Sequence, residues 1–498
     1  MSDVNPQRGR TRRGNYHEKR LQPPRRDQVR QRRAGTRHIL NESLLKMIVS
    51  NLQPLAITAG HNFLGFVKAL NPTVQIPTKA EIRSELLTVY KEKEEELRRS
   101  LASADDIVLT CELWSSRPED PYLTVGCHFV DRIGKRKSYM LKPTSLFGDK
   151  SPANIKKQLS GVMEAWGVKE KVHSVVRAGM PQMKNIKVEW TDMPCFADTL
   201  DEVFKDLKRN DELFNVLRKC QNIVRFFKND SEAEEKLREI QRQLGMRQDE
   251  LVMYSGDQWF AWLHMLQRLL QQYRAMVMVL DEGGKTDLIL NEEDKEKLKN
   301  VISALEPLKE ATSKMKSGFE TISVMLPLLT TLMEKLDKEK RKSNDVAQLL
   351  LSKCRKEFGD VNNHQLAPST FLDPRYKNRL TDKNKRQAKD KILKELTAGR
   401  NCSPAQSSKF KDMLERYMSY EPSSEDSNPL AWWRYNGTDH FGELSQLALK
   451  KLGVVSTAVP LERAFSGAGD QFCNQRSSIE PENLNMILFL NSNWSTES

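Results

Sequence analysis

Apolar positions change their period twice along the chain. Ser43–Leu55 and Asn62–Leu70 carry apolar residues at helical spacing and predict two short helices. Ala80–Leu101 predicts a longer, charged helix, with Thr78 after Pro77 as its N-cap. The period then falls to two. Asp106–Leu113 (DIVLTCEL), Tyr122–Asp131 (YLTVGCHFVD) and Lys137–Phe147 predict three strands, and Arg132–Lys135 (RIGK) supplies the turn between the last two. Ser151-Pro152 opens a helix that runs through Trp166, and His173–Val176 reads as a short fourth strand. Three strands, a helix and another strand predict a mixed sheet with helices packed on it. From Phe196 to Tyr420 the helical period dominates. Asp211–Leu244, Gln258–Leu280, Glu292–Met315, Ile322–Lys342, Ala347–Phe358 and Arg386–Leu396 all follow it, with Gly283-Gly284 as a turn. Glu421–Pro429 (EPSSEDSNP) is a polar linker, and Pro429–Trp494 a compact helix-prone unit.

Length and composition sharpen this picture. A chain of 498 residues is too long for one ordinary core, so two or three domains are expected. Apolar runs such as Val277–Leu280 are far too short to cross a membrane, and no apolar stretch follows the charged N-terminus as secretion requires. Seven scattered cysteines, none in a C-x-x-C pair, argue against a disulfide scaffold and fit a reducing compartment. No Gly-rich phosphate loop of the G-x-G-x-x-G or G-x-x-x-x-G-K-[ST] type occurs.

Charge is concentrated at one end. The net charge is +13, and Met1–His38 holds twelve Lys/Arg against three Asp/Glu, which is +9 of it. So few apolar residues cannot offset the chain entropy of ordering, and residues 1–38 are expected to be disordered. Arg8, Arg10, Arg12, Arg13, Arg30, Arg32 and Arg33 form an arm suited to phosphate, because each guanidinium donates two parallel hydrogen bonds. The arm is read as a DNA or chromatin contact and a nuclear import signal, against the plainer reading of a solvated tail.

The C-terminal unit carries a specific pattern. Pro429, Leu430, Trp432 and Trp433 are followed by Ser456, Glu462, Arg463, Phe465 and Ser466, then by Arg476, Ser477, Leu488, Leu490 and Asn493. This order resembles the dimerisation region of hAT-superfamily transposases. Upstream, LTCELWSS (Leu109–Ser116), VVRAGMPQM (Val175–Met183), PCFADTL (Pro194–Leu200), DQWFAWLHMLQRL (Asp257–Leu269) and LDPRYK (Leu372–Lys377) resemble the rest of that family, nearest its cellular relatives with BED zinc fingers. The resemblance implies an α+β, RNase H-like mixed sheet interrupted by a large all-α insertion. It divides the chain into an arm (1–38), an N-terminal helical segment (39–104), the first part of the core (105–204), the insertion (205–420), a linker (421–428) and the dimerisation region (429–498). A homodimer is implied, with Trp432, Trp433, Leu461, Phe465, Leu488, Phe489 and Leu490 as contacts.

The family's chemistry needs two metal ions held by Asp, Asp and Glu. The matching positions here are Glu112, Ala178 and Glu462. A lengthened carboxylate and an alanine break the set, so no metal, cofactor or catalysis is expected. Asp192 restores it only if its strand slips. The family C-x-x-H becomes Cys195 and Asp198, with Cys195 read as a small buried residue. No Cys precedes Cys111, so a BED finger is not expected within this chain. Trp259 and Trp262, three apart, are read as core before base stacking. The expectation is a domesticated, inactive, nuclear hAT-derived protein that self-associates, binds DNA or chromatin and unidentified nuclear proteins, and regulates transcription. A protein-interaction scaffold without nucleic acid is the alternative.

Overall fold

The computed structural model describes residues 26–117, 120–146, 149–180, 183, 187–207, 209–253, 259–316, 321–359, 366–398, 403–458 and 479–494. Helices α1 (Arg26–Ser50), α2 (His61–Leu70) and α3 (Lys79–Ala102) come first. Thr78 caps α3 as expected, in a reciprocal capping box with Glu81. The sheet follows as β1 (Ile107–Arg117), β2 (Asp120–Val130) and β3 (Arg136–Ser145), then α4 (Pro152–Ala165), β4 (Val172–Ala178) and β5 (Thr191–Pro194). Ser151 caps α4 by accepting from the Asn154 amide.

The strand order is β3-β2-β1-β4-β5, antiparallel on the β2–β3 side and parallel on the β4–β5 side. The mixed sheet is therefore the one the alternating pattern predicts. β5 is an addition: four residues ending in Pro194 give too little alternation to read as a strand.

The two faces of the sheet differ in chemistry. One presents Leu109, Cys111, Leu123, Val125, Cys127 and Val175, and packs with α1, α3, α4 and the last helix, α18 (Pro481–Asn493). The other presents Val108, Thr110, Glu112, Thr124, His128, Val176 and Ala178, since side chains alternate and paired residues share a face. Its apolar members join the core of the helical region.

The arginine-rich segment corrects one expectation. Helix α1 starts at Arg26, so residues 26–38 are helical rather than disordered, and Arg37 pairs with Glu81 at 2.7 Å. Leu44, Leu45, Ile48 and Val49 are buried and anchor the C-terminal half. Arg and Gln are good helix formers and let the helix extend N-terminally from that anchor. Arg30, Arg32 and Arg33 thus lie on a helix, while Arg8, Arg10, Arg12 and Arg13 fall outside the described residues.

Beyond the sheet, α5 (Phe196–Leu207), α6 (Asp211–Asn229), α7 (Ser231–Gln243), α8 (Trp259–Glu282), α9 (Glu292–Lys316), α10 (Met325–Lys340) and α11 (Asp345–Phe358) build the insertion. The expected helix Asp211–Leu244 is two helices, because Asp230 leaves helical geometry and caps α7 through the Ala233 amide. Then come α12 (Ala367–Leu372), α13 (Asp382–Thr397), α14 (Pro404–Ser419), α15 (Pro429–Trp432), α16 (Thr438–Phe441) and α17 (Glu443–Leu452). The polar segment 421–428 does not separate two bodies. Tyr417 and Tyr420 before it pack, mostly edge-on, against Trp432, Trp433 and Phe441 after it, at centroid distances of 4.9–6.1 Å.

Helix α18 returns to the start of the chain. Asn493 accepts from the Met140 amide at 2.9 Å and donates to the Met140 carbonyl at 2.7 Å, so its amide acts as a further strand on the β3 edge. Asn491 donates to the Val49 carbonyl at the end of α1.

Candidate functional site

Glu112 and Ala178 are direct partners in the parallel β1–β4 pairing. Their side chains therefore emerge side by side on the same face, where two acidic residues would have to stand to share metal ions. Ala178 is 2% exposed and offers no ligand atom. The chain turns away at Gly179 with φ +67°, and a Cβ there would lie 2.9 Å from the Leu113 carbonyl oxygen, so only glycine fits. The Gly179 amide donates to Asp198 on the first turn of α5 at 2.9 Å. Burial raises the Asp198 pKa, and this backbone hydrogen bond works against that rise. Asp198, at the position of the family histidine, thus closes the corner of β4 rather than standing open to a ligand.

Asp192 cannot replace the missing carboxylate. It pairs with Val175 on β4, one face over from Val176 and Ala178. Arg177, 7% exposed, holds it there with Nε 2.9 Å from both carboxylate oxygens, while its Nη1 donates to the Met180 carbonyl. Glu112 and Asp192 lie on opposite sides of the sheet. Among the described residues no group of three or more His, Cys, Asp or Glu side chains is arranged to hold a metal ion. Glu462 lies outside the described residues. With alanine at its second position, the donor set does not fit a two-metal centre.

Cys195 is fully buried, as its small-apolar reading requires, with Sγ 3.1 Å from the Thr457 hydroxyl. Trp262 is 4% exposed and belongs to the insertion core; the Trp259 side chain lies outside the described residues.

The expected dimer contacts separate into three groups. Trp433 is fully buried and donates from Nε1 to the Leu372 carbonyl at 2.6 Å, whereas Trp432 is half-buried against Tyr417, Tyr420 and Phe441. Leu461 and Phe465 lie outside the described residues. Leu488, Phe489 and Leu490 are 0–1% exposed within a single protomer, and so is Ile487. Phe489 packs edge-on against Tyr90 at 4.9 Å and stacks near Trp166 at 6.3 Å. The expectation that this run presents a flank to a second chain is therefore corrected: Ile487–Leu490 is buried between α1, α3 and β3, while Glu482 on the same helix stays exposed.

Comparison with known proteins places these elements. Residues 110–189 match the ZBED1 RNase-like domain, 193–304 the ZBED1 RNase-like helical domain, and 413–494 the hAT family C-terminal dimerisation region. The chain thus carries an hAT-type dimerisation region behind ZBED1-type RNase-like domains. Human zinc finger BED domain-containing protein 4 is 25% identical over 90% of this chain and 43% of its own length. The mouse zinc finger BED domain-containing protein 6 is 22% identical over 89% of this chain and 46% of its own. RICESLEEPER 3 of Oryza sativa subsp. japonica, another zinc finger BED domain-containing protein, is 21% identical over 91% and 69%. The chain spans less than half the length of these two animal relatives. Its dimerisation match begins inside α14, which agrees with the aromatic cluster that ties α14 to the segment after 428. No helix among the described residues is long and apolar enough to cross a membrane.

Proposed function

We propose that this hAT-derived chain is a domesticated, catalytically inactive nuclear protein that self-associates, binds DNA or chromatin through its arginine-rich N-terminal segment, and serves in transcriptional regulation. The observation that carries the loss of catalysis is the Glu112–Ala178 pairing. It sets one carboxylate beside a methyl group where two metal ions need several oxygen ligands. Purified full-length protein with Mg²⁺ or Mn²⁺ is expected to leave hairpin-prone and terminal-inverted DNA ends uncut. Metal-dependent cleavage that disappears in Glu462→Gln would overturn this reading.

Nucleic-acid binding rests on the density of arginine at Arg8, Arg10, Arg12, Arg13, Arg30, Arg32 and Arg33. Helix α1 arrays the last three on one continuous element above its buried half. Contacts of this kind release counterions and carry little sequence preference. If all seven meet phosphates, the affinity for duplex DNA should fall with a log–log salt slope of about −6. Replacing the seven by Ala should flatten that slope, weaken binding at least tenfold, and move a tagged protein out of the nucleus. A wild-type chain that does not bind duplex DNA at low salt would favour a protein-interaction scaffold instead.

A further inference from the structure

We infer that a second copy of this chain docks on the surface formed by the β2–β3 turn and the segment Trp433–Gly437; this rests on the self-association proposed above and names the surface responsible. Among the described residues of the matched dimerisation region, 413–494, most large apolar side chains are buried or half-buried inside the protomer. Trp433, Phe441, Leu444, Leu452 and Ile487–Leu490 are all buried. Among the described residues of that region, the one strongly exposed large apolar side chain is Tyr435, at 79%.

Local geometry explains its exposure. Trp433–Gly437 is a π-helical turn, one residue wider than an α-turn. Trp433 is pinned into the core by its indole hydrogen bond, and the Ser445 hydroxyl donates to its carbonyl at 3.1 Å. Gly437 is held against Ser445 and the Trp433 ring so closely that a Cβ would clash with both. The extra residue between these fixed ends turns Tyr435 outward.

A second exposed residue stands beside it from another part of the chain. Ile133, at the tip of the β2–β3 turn, is 73% exposed. Gly134, with φ +80°, rests on the C-terminal region so tightly that a Cβ would come within 2.9 Å of the Arg434 Cβ. Ile133 and Arg434 line one cleft at this contact, and Tyr435 is the residue next to Arg434. That cleft, of about 760 Å³, carries both signs of charge on its walls: Asp105 and Arg132 stand there, while Lys450 is paired with Asp106 within the protomer.

Those features favour a copy of the same chain over a partner of one charge. In a twofold interface, residue i of one protomer meets residue j of the other, and j meets i. A surface carrying both signs and two apolar side chains is then complementary to itself. The sequence match assigns self-association to this region, and the patch is continuous with it.

The test is sedimentation velocity of the full chain over a micromolar concentration series, for wild type, Tyr435→Asp, Ile133→Asp and Phe66→Asp. Phe66 is 63% exposed on α2, outside every matched segment, and serves as the control. Wild type and Phe66→Asp are expected to dimerise alike, and Tyr435→Asp and Ile133→Asp each to weaken the dimer at least tenfold with an unchanged melting temperature. A wild-type dimer that persists in both variants would overturn this surface and leave self-association standing. A wild-type monomer throughout would remove both.

Discussion

Asp373→Ala should destabilise the chain by about 3–5 kcal/mol, the cost of leaving a buried cation without its partner. Asp373 and Arg375 are both buried, with side chains 0% and 5% exposed. The guanidinium grips the carboxylate through Nη2 at 2.8 Å and Nε at 3.0 Å, and the Arg375 amide donates to it at 2.9 Å. Ser323 donates at 2.6 Å to Oδ2, the oxygen that Nη2 also meets, and Thr370 donates to the Ser323 carbonyl. Ser323 also meets Thr321, which bridges to Val455, while the Ile322 amide donates to Val454. The carboxylate therefore joins the start of α10, the end of α12 and the chain just before residue 459. Its removal strands the Arg375 charge and unpairs several donors at once. The expected result is an earlier urea midpoint for Asp373→Ala and substantial recovery in Asp373→Leu/Arg375→Met, because replacing both ions removes the unpaired charge. Equal losses in the single and double variants would show that packing, rather than the ion pair, sets the cost.

This network lies within the LDPRYK segment, Leu372–Lys377, whose family resemblance in sequence carries no role with it. Lys377 completes it: the ammonium is fully buried, donates to the Tyr417 carbonyl at 2.8 Å and to Tyr420, and lies 4.7 Å from the Tyr417 ring centroid. Burial lowers its pKa. A buried lysine invites a catalytic reading. Here it caps the carbonyls at the end of α14 and holds the helical insertion to the dimerisation region.

What the sequence revealed followed how local each signal was. β1, β2 and β3 were legible because alternation over about ten residues sets both strand and facing. The same alternation decides the acidic corner, since a strand partner one residue away faces the other side. Asp192 pairs with Val175, whose side chain faces away from that of Ala178, and so cannot stand in for it. Two expectations failed because one pattern serves two outcomes. An arginine run reads as disorder, yet it continues as helix when its next turns are buried, as at Leu44–Val49. The run Ile487–Leu490 is apolar on every side, which suits a second chain or a fully enclosed helix equally well; only α1, α3 and β3 around it decide. Tyr435 had no signal at all, because its exposure comes from a π-turn fixed at both ends by distant residues.

Acid should weaken the sheet well before most carboxylates titrate. His128 is 1% exposed, in the centre of the polar face, with Nε2 3.1 Å from the Thr110 hydroxyl and Nδ1 2.9 Å from the Ser138 hydroxyl. It ties β1 and β3 to β2. Burial, with Arg136 nearby, lowers its pKa to about 3. His173 on β4 is lowered to about 4, chiefly by burial and then by Lys450, with Asp106 opposing. In the unfolded chain both titrate at about 6.5. The folded state thus binds fewer protons than the unfolded state below that value. The stabilisation from neutral imidazole is fully present above pH 6.5 or so and is lost as pH falls toward the folded values. Each histidine removes about 1.4 kcal/mol per pH unit in that window, so the pair should cost about 4 kcal/mol by pH 5. Urea midpoints measured between pH 7 and pH 5 should fall with that slope. His128→Gln keeps a donor and an acceptor between Thr110 and Ser138 without a titrating ring. It should begin less stable at pH 7 and lose about half as much on acidification. An unchanged slope in His128→Gln would mean that the acid sensitivity of the sheet lies elsewhere than in this buried imidazole.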